Sequence, residues 1–309
     1  MTNSVTIAQL TDVHLGPIAG FLPRYWNVKR ALGYANWLLK RRWIYRREVL
    51  DRLVADIAAQ APDHIVVTGD LANLGLPREH INALSWLERL GSPERVTVIP
   101  GNHDIYSAIG ADPGTARWAP FMAPDAAGAA YTEATGPFPF VRMAGPVALV
   151  AMNSAVPTPP FVASGRLGDG QLGRLGPLLQ RLARDGKFRL VLIHHPPLPG
   201  LAKPRRELLD AAALQDVLAR HGAELVVHGH NHHNSLTWCA TETGTKLPIV
   251  GAPSGAQGRR YKDEPLGRYN LYRVGGPPWA VELVGRGLAE PDGPVLELER
   301  TLLASSSMA

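Results

Sequence analysis

Residues 5–14 read VTIAQLTDVH, an apolar, β-rich run that gives way to Asp12 and His14. A short buried strand followed at once by polar side chains is typical of an open α/β sheet, because ligands gather at the carboxyl ends of its strands. This stretch therefore predicts an α/β fold with a functional site at one edge of a sheet.

The same arrangement recurs four times along the chain. Apolar runs precede Gly69-Asp70, Gly101-Asn102-His103-Asp104, His194-His195-Pro196-Pro197 and His228-Gly229-His230-Asn231-His232. Oxygen donors mixed with imidazole suit divalent Mn, Fe, Zn or Co, and the single Cys239 excludes a cysteine-rich zinc module. The pattern predicts a site for two divalent or mixed-valence metal ions, built from Asp12, His14, Asp70, Asn102, His194, His230 and His232.

These five ordered blocks resemble the calcineurin-like metallophosphoesterase superfamily, and among its members the bacterial phosphodiesterases. The resemblance implies that one metal is held by Asp12, His14, Asp70 and His232. It implies that the second is held by Asp70, Asn102, His194 and His230, with Asp70 as the bridge. It also implies an α/β fold of two packed mixed β-sheets flanked by helices.

The resemblance further places His103 beside the substrate, where it would protonate the leaving oxygen while Asp104 orients its imidazole. The expected reaction is in-line attack of a metal-bridging hydroxide on phosphorus. His195, His228 and His233 lie next to the predicted ligands, and the sequence leaves open whether they contact substrate or metal. Because His228 and His230 also form a His-x-His pair, only the glycine before His230 favours the later pair.

The expected substrate is a phosphodiester. Protein phosphatases of the superfamily usually continue the Gly-Asp block with Asp-Arg-Gly, whereas this chain continues Gly69-Asp70 with Leu71 and Ala72. A lipid-derived or amphiphilic phosphodiester, a cyclic nucleotide and a nucleotide-sugar-lipid pyrophosphate stay open as alternatives. So does a non-catalytic scaffold that binds a membrane or a partner. The sequence gives no signal for the oligomeric state.

A basic, aromatic insertion at residues 21–47 separates the first two blocks. Its eight lysines and arginines exceed the net charge of +5 for the chain, so the remainder has a net charge of −3. Apolar residues at helical spacing from Val28 to Leu39 predict an amphipathic helix with a cationic face. Such a helix would pack on the domain, form a lid or lie on an anionic membrane surface. Nucleic acid is a less favoured partner, because no recognised nucleic-acid module accompanies the segment.

The remaining pattern predicts alternating strands and helices, with helices over residues 47–60, 77–90, 169–184 and 205–221. Shorter strands follow His232, near residues 235–241, 247–250, 269–274 and 280–284. Since the predicted ligands must converge from across the chain, we expect one domain over residues 1–309. No signal-peptide core or apolar run of membrane-spanning length is evident, which predicts a cytoplasmic protein, with peripheral membrane attachment through the insertion as an open alternative.

Overall fold

A computed structural model of the protein describes residues 4–108, 110–132 and 136–303. Within them, apolar runs form the strands β1 (Val5–Leu10), β2 (His64–Val67), β3 (Val96–Val98), β4 (Phe140–Ala144), β5 (Val147–Ala151), β6 (Phe188–Leu192), β7 (Leu225–His228), β8 (Ser235–Ala240), β9 (Lys246–Gly251), β10 (Arg268–Gly275), β11 (Ala280–Leu288) and β12 (Val295–Leu303). The α-helices are α1 (Val28–Asn36), α2 (Arg42–Ile44), α3 (Arg47–Gln60), α4 (Pro77–Leu90), α5 (Asp169–Arg184) and α6 (Ala211–His221). A π-helical turn, Trp37–Arg41, joins α1 to α2, and 3-10 turns lie at Pro23–Tyr25, Gly114–Phe121 and Gly128–Ala130.

The strands form two six-stranded mixed sheets. The first has the order β12-β11-β10-β1-β2-β3, in which β1, β2 and β3 are parallel and β10 to β12 are antiparallel. The second has the order β4-β5-β6-β7-β9-β8, with a parallel centre and antiparallel edges. Parallel strands place their carboxyl ends at the same edge, and this edge carries the predicted site.

The two sheets pack face to face through fully buried apolar side chains, among them Ile7 and Tyr272 from the first sheet and Leu149 and Leu190 from the second. A second apolar cluster covers the outer face of the second sheet with α5 and α6, and a third covers the first sheet with α3 and α4. Burial of each apolar side chain of this size stabilises the folded protein by about 1.5–3 kcal/mol. The predicted arrangement of two mixed sheets flanked by helices is confirmed.

Three predicted helices have the bounds of α3, α4 and α5. The fourth prediction, 205–221, is wrong at its start, because α6 begins at Ala211. Asp210 accepts hydrogen bonds from the amides of Leu167 and Gly168, which ties the preceding turn to another loop instead of extending the helix. The strands β4 and β12 were not predicted from the sequence, and the single domain over residues 1–309 stays a prediction.

The insertion forms the predicted amphipathic helix, and the cationic face of this helix is turned inward. Lys29 and Arg30 are buried, whereas Val28 is 68% exposed and Leu32 42% exposed. Arg30 donates to five backbone carbonyls in the loops after β2 and β3 and in its own segment, those of Tyr25, Leu74, Gly75, Ser107 and Ala108. The cationic face of the helix thus packs against polar loop backbone, and the apolar face is exposed to solvent.

The ammonium of Lys29 is satisfied in the same way, by the carbonyl of Tyr106 and the hydroxyl of Thr158. Burial, with a smaller effect of the neighbouring Arg30, lowers the pKa of Lys29 to about 8. The insertion is therefore fixed to the domain by hydrogen bonds to loop backbone. Among the described residues, no helix is long and apolar enough to cross a membrane.

The burial of His64 within the first sheet can be tested through the pH dependence of stability. His64 begins β2, is 3% exposed, and its Nε2 lies 2.7 Å from the hydroxyl of Thr97 on β3. Burial, assisted by Arg142, lowers the pKa of His64 from 6.5 to about 4. Between these values the unfolded chain binds a proton that the folded chain does not, so folding stability falls as the pH falls.

We predict that wild-type protein loses about 3 kcal/mol more stability than His64→Gln between about pH 7 and about pH 4. Urea unfolding of both proteins in the presence of a chelator measures the difference. Parallel stability curves for the two proteins would show that His64 is not buried as described.

Candidate metal centre

The predicted site residues follow five parallel strands at one edge of the two sheets. Asp12 and His14 follow β1, Asp70 follows β2, and Asn102 follows β3. On the second sheet, His194 follows β6, and His230 and His232 follow β7. All seven side chains are buried, and hydrogen-bonding distances connect them across the two sheets.

The carboxylate of Asp12 has one oxygen held by the protein and one directed into the site. Its Oδ2 accepts hydrogen bonds from the Thr11 hydroxyl and from the backbone amide of His230. Its Oδ1 lies 3.0 Å from Nε2 of His232 and 3.9 Å from Nε2 of His14. Asp12, His14 and His232 therefore present three ligand atoms within 4.8 Å of one another.

Asp70 has the same division between its oxygens. Its Oδ1 accepts from the backbone amide of His103 at 2.7 Å. Its Oδ2 lies between two imidazoles, 3.9 Å from Nε2 of His14 and 3.6 Å from Nε2 of His194. Asp12, Asp70 and His194 form a second group of ligand atoms within 4.8 Å. Asp70 thus lies where a carboxylate shared by two cations is expected.

Hydrogen-bond acceptors converge on one point at Asn102. Nδ1 of His194 donates to the carbonyl of Thr68, and Nε2 of His230 donates to the carbonyl of Arg206. The other nitrogen of each ring then carries a lone pair, yet both face Oδ1 of Asn102, at 3.2 Å for His194 and 2.8 Å for His230. Acceptors that face one another without a proton repel, and a cation between them removes the repulsion.

The electrostatics of the site agree with this arrangement. Burial and the adjacent Asp12 raise the pKa of Asp70 well above its usual range. Burial, followed in effect by Arg41, lowers the pKa of His14 well below 6.5, so that its ring is neutral. In spite of burial, His232 lowers the pKa of Asp12 well below its usual range, while Tyr45 and Asp12 raise the pKa of His232 well above 6.5. Protons therefore stay on Asp70 and His232 in this cluster, and divalent cations would take their place. The residues present fit a dinuclear centre.

The backbone at the site is held in an unusual conformation. Five of the seven predicted ligands have positive φ: Asp12 (51°), His14 (38°), Asp70 (58°), His230 (68°) and His232 (58°). Left-handed backbone at a non-glycine residue costs on the order of 1 kcal/mol or more and is concentrated at functional sites. A Cβ at Gly229 would collide with the Thr11 and Asp12 side chains, which explains the glycine between the two histidines of this block.

His103 lies at the same edge with Nδ1 2.6 Å from the carbonyl of Asn73. This bond fixes the Nδ1–H tautomer and points Nε2 into the site. The prediction that Asp104 orients His103 needs correction. The Asp104 carboxylate accepts three backbone amides, those of Asp70, Ala72 and Gly101, each at 2.8 Å. Asp104 shapes the two loops that carry Asp70 and Asn102, and the Asn73 carbonyl takes the orienting position.

The three histidines that flank the predicted ligands lie in different surroundings. His228 belongs to β7, is buried, and bonds through Nδ1 to the carbonyl of Gly229. His195 contacts the Ser154 hydroxyl and the Ala163 carbonyl, and its ring centre lies 4.4 Å from that of His230. His233 is 40% exposed on its side chain beside Asp263. The structure therefore brings the later pair, His230 and His232, into the cluster, and it leaves His195 packed behind His230.

A cavity of about 210 Å³ opens onto this cluster, and part of its wall comes from residues that the sequence did not single out as site residues. Asn36, Lys40, Arg41 and Tyr45 of the insertion line one side, and Arg206, Tyr261 and Glu264 line another. The signal that could have indicated them is the run of cations and aromatics in the insertion, together with the basic turn at residues 259–262. Spacing alone did not show which of these side chains point inward.

A sequence model of the calcineurin-like phosphoesterase family matches residues 5–234, which contain all five blocks. The chain belongs to this family. As a calcineurin-like phosphoesterase it is a metal-dependent phosphoester hydrolase. The resemblance described from the five sequence blocks is confirmed.

Two relatives carry names of bacterial phosphodiesterases. The chain is 30% identical over 245 residues to a probable cyclic nucleotide phosphodiesterase of Synechococcus, with 74% of each chain covered. It is 31% identical over 197 residues to a cAMP/cGMP dual specificity phosphodiesterase of Mycobacterium tuberculosis, which covers 62% of this chain and 54% of that protein. The chain thus matches about half the length of the second relative.

Solved structures show the same fold at low sequence identity. A dimetal phosphatase from Danio rerio superposes with a TM-score of 0.63 at 14% identity, covering 98% of this chain and 99% of that one. A purple acid phosphatase from yellow lupin gives 0.54 at 13% identity, covering 96% and 53%. These likenesses support the two-sheet architecture.

The three amide bonds to Asp104 predict a structural effect for its replacement. Asp104→Asn places an NH2 group against backbone N–H donors, so we expect the metal-free protein to lose about 2 kcal/mol of stability. Urea unfolding measures this loss, and Asp216→Asn, at an exposed position on α6, should change stability by less than about 0.5 kcal/mol. Unchanged stability with lost turnover would instead return Asp104 to the role of orienting His103.

Proposed function

We propose that the protein is a phosphodiesterase with a dinuclear metal centre. The observation that supports this most directly is the position of Asp70 Oδ2 between Nε2 of His14 and Nε2 of His194. In the proposal, Asp12, His14, Asp70 and His232 hold one ion, and Asp70, Asn102, His194 and His230 hold the other. The donor set accepts Mn, Fe, Zn or Co. Bound there, the ions would acidify a water molecule and neutralise phosphoryl oxygens.

The protein's own side chains would direct the rest of the reaction. The Asn73 carbonyl accepts from Nδ1–H of His103 and holds the ring so that Nε2 faces the cavity. Nε2, which carries a lone pair, would take up a proton from solvent and give that proton to the leaving oxygen. The ring is also supported by Tyr106, which stacks on it with ring centres 5.4 Å apart. A proton donor fixed in this way contributes on the order of 10²- to 10⁴-fold to the rate.

A phosphodiester is favoured over a phosphoprotein by two observations. The Asp-Arg-Gly continuation is replaced by Leu71 and Ala72, both of which are buried and pack inside the domain. Both relatives described above are named as phosphodiesterases of cyclic nucleotides. Cyclic nucleotides are therefore the first substrates to assay, and bis(p-nitrophenyl) phosphate serves as a general model substrate for phosphodiesterases.

We predict that His103→Ala retains the metal content of the wild type and loses about 10²- to 10⁴-fold in kcat on bis(p-nitrophenyl) phosphate. Elemental analysis and steady-state kinetics measure the two quantities on the same preparations. His233→Ala, at an exposed position beside the cluster, is the matched control and should retain wild-type turnover. Hydrolysis by His103→Ala at the wild-type rate, or wild-type activity that survives complete chelation, would contradict the mechanism.

An amphiphilic or lipid-derived phosphodiester is a second candidate, supported by the outer surface of the insertion. Large apolar side chains stand exposed there and form what we call the apolar ridge: Leu22, Trp26, Val28, Leu32, Leu39 and Trp43. Leu39 is 81% exposed and Trp26 59% exposed. Contiguous exposed apolar side chains mark interaction sites, and a helix of this type suits a membrane interface.

Exposed arginines and a neighbouring cavity strengthen this candidate. Arg24, Arg42 and Arg46 are exposed along the ridge, and each cation near an anionic bilayer contributes roughly 1 kcal/mol. A second cavity, of about 330 Å³, lies under the insertion against Leu15, Trp37 and other apolar side chains. Tyr45 lines both cavities, so an apolar group attached to a bound phosphate has a neighbouring place to lie.

We predict that the protein sediments with vesicles containing phosphatidylglycerol and that Leu39→Ser binds them about tenfold more weakly. The control is Leu302→Ser, which removes a leucine that is 70% exposed on β12. Vesicle binding that is absent in the wild type, or equal in Leu39→Ser and the wild type, would overturn the membrane proposal and leave the phosphodiesterase proposal intact.

A further inference from the structure

Arg41 reaches from the insertion into the metal cluster. One guanidinium nitrogen lies 3.0 Å from Nε2 of His103, and the other lies 3.0 Å from Nε2 of His14. Since Nδ1 of each ring bonds to a backbone carbonyl, both of these Nε2 atoms carry lone pairs. The guanidinium therefore donates to two neutral acceptors. Arg41 also lies 3.5 Å from the Tyr45 hydroxyl, and within the described ranges no carboxylate lies within 4.0 Å of its guanidinium to form an ion pair.

The position of Arg41 is built into the fold. It ends the π-helical turn Trp37–Arg41, a type of helical irregularity that is frequent at functional sites. On its amino-terminal side, Arg30 anchors the insertion to the loop that follows Asp70. On its carboxyl-terminal side, Arg46 donates through its amide to the carbonyl of Ala256.

The neighbouring Lys40 connects the insertion to another segment that lines the cavity. Its ammonium donates to the Tyr261 hydroxyl and lies 4.0 Å from the centre of that ring. Tyr261 belongs to the basic turn at residues 259–262 and also lines the cavity. Arg41 is thus held at the mouth of the site from both sides.

We propose that Arg41 is a ligand for a phosphoryl oxygen of the substrate, supplied to the metal centre by the insertion. This inference rests on the proposed phosphoesterase function of the same site. An oxygen within hydrogen-bonding reach of His103 Nε2 lies beside the guanidinium nitrogen that is 3.0 Å from that atom. Arginine presents two parallel donors that match phosphate oxygens, and such charge-assisted bonds are the strong ones.

If Nε2 of His14 binds a cation, it no longer accepts a hydrogen bond from Arg41. A substrate oxygen would then accept that hydrogen bond instead. The guanidinium would then connect the substrate to the insertion. This arrangement would link the insertion, residues 21–47, to the bound phosphate through a side chain that the fold holds in place.

Orthophosphate binding to the manganese-loaded protein tests the assignment apart from turnover. We expect Arg41→Gln to weaken orthophosphate binding by about 10- to 100-fold in calorimetry, with unchanged metal content at saturating manganese. Arg41→Lys, which keeps the charge without the fork, should lie between the wild type and Arg41→Gln. Arg184→Gln removes an exposed arginine at the end of α5 and should bind orthophosphate as the wild type does.

Equal orthophosphate affinity in Arg41→Gln and the wild type would overturn the assignment, even if the wild type hydrolyses phosphodiesters. Tighter manganese binding in Arg41→Gln, with orthophosphate affinity unchanged, would identify Arg41 as a plug that competes with the metal. A wild type that binds manganese but no orthophosphate would overturn the Arg41 assignment, whereas only failure to hydrolyse bis(p-nitrophenyl) phosphate would overturn the proposed function. Weakened orthophosphate binding in a variant that still holds its metal would support the assignment.

Discussion

Buried lone pairs that face one another are the constraint on which the architecture of the site depends. Asp12 and Asp70 each use one oxygen for protein donors and direct the other toward imidazole nitrogens. His194 and His230 use their N–H groups on backbone carbonyls and direct their lone pairs at Asn102. Such an arrangement is unfavourable without cations, and the fold maintains it with strained backbone at five positions.

The insertion adds a second layer to this centre. Its buried cations bind loop carbonyls, and the apolar side chains of the ridge are exposed to solvent, which is the reverse of a helix that packs by the hydrophobic effect. The same loops carry Asp70 and Asn102, so the insertion and the metal centre share their support. The insertion carries Arg41 at the cavity and the apolar ridge on its outer surface. It therefore connects the metal centre to a solvent-exposed apolar surface.

The sequence predicts much of this because strand ends and their polar residues are local signals. The five blocks, and helices such as α3 and α5, appear where periodicity predicts them. The edge strand β12 escapes prediction because Leu296, Leu298 and Leu302 lie on the exposed face, while the opposite face carries Glu297 and Glu299. Neither the partner of Asp104 nor the inward face of α1 follows from spacing, since both depend on loop carbonyls and amides that only the folded chain brings together.

Anomalous diffraction from crystals grown with manganese would locate the cations. We predict two anomalous peaks about 3.5–4 Å apart on either side of Asp70 Oδ2, one within coordination distance of His14 and the other within coordination distance of His194. A single peak, or manganese bound away from Asp70, would contradict a centre in which one buried aspartate is shared by two cations.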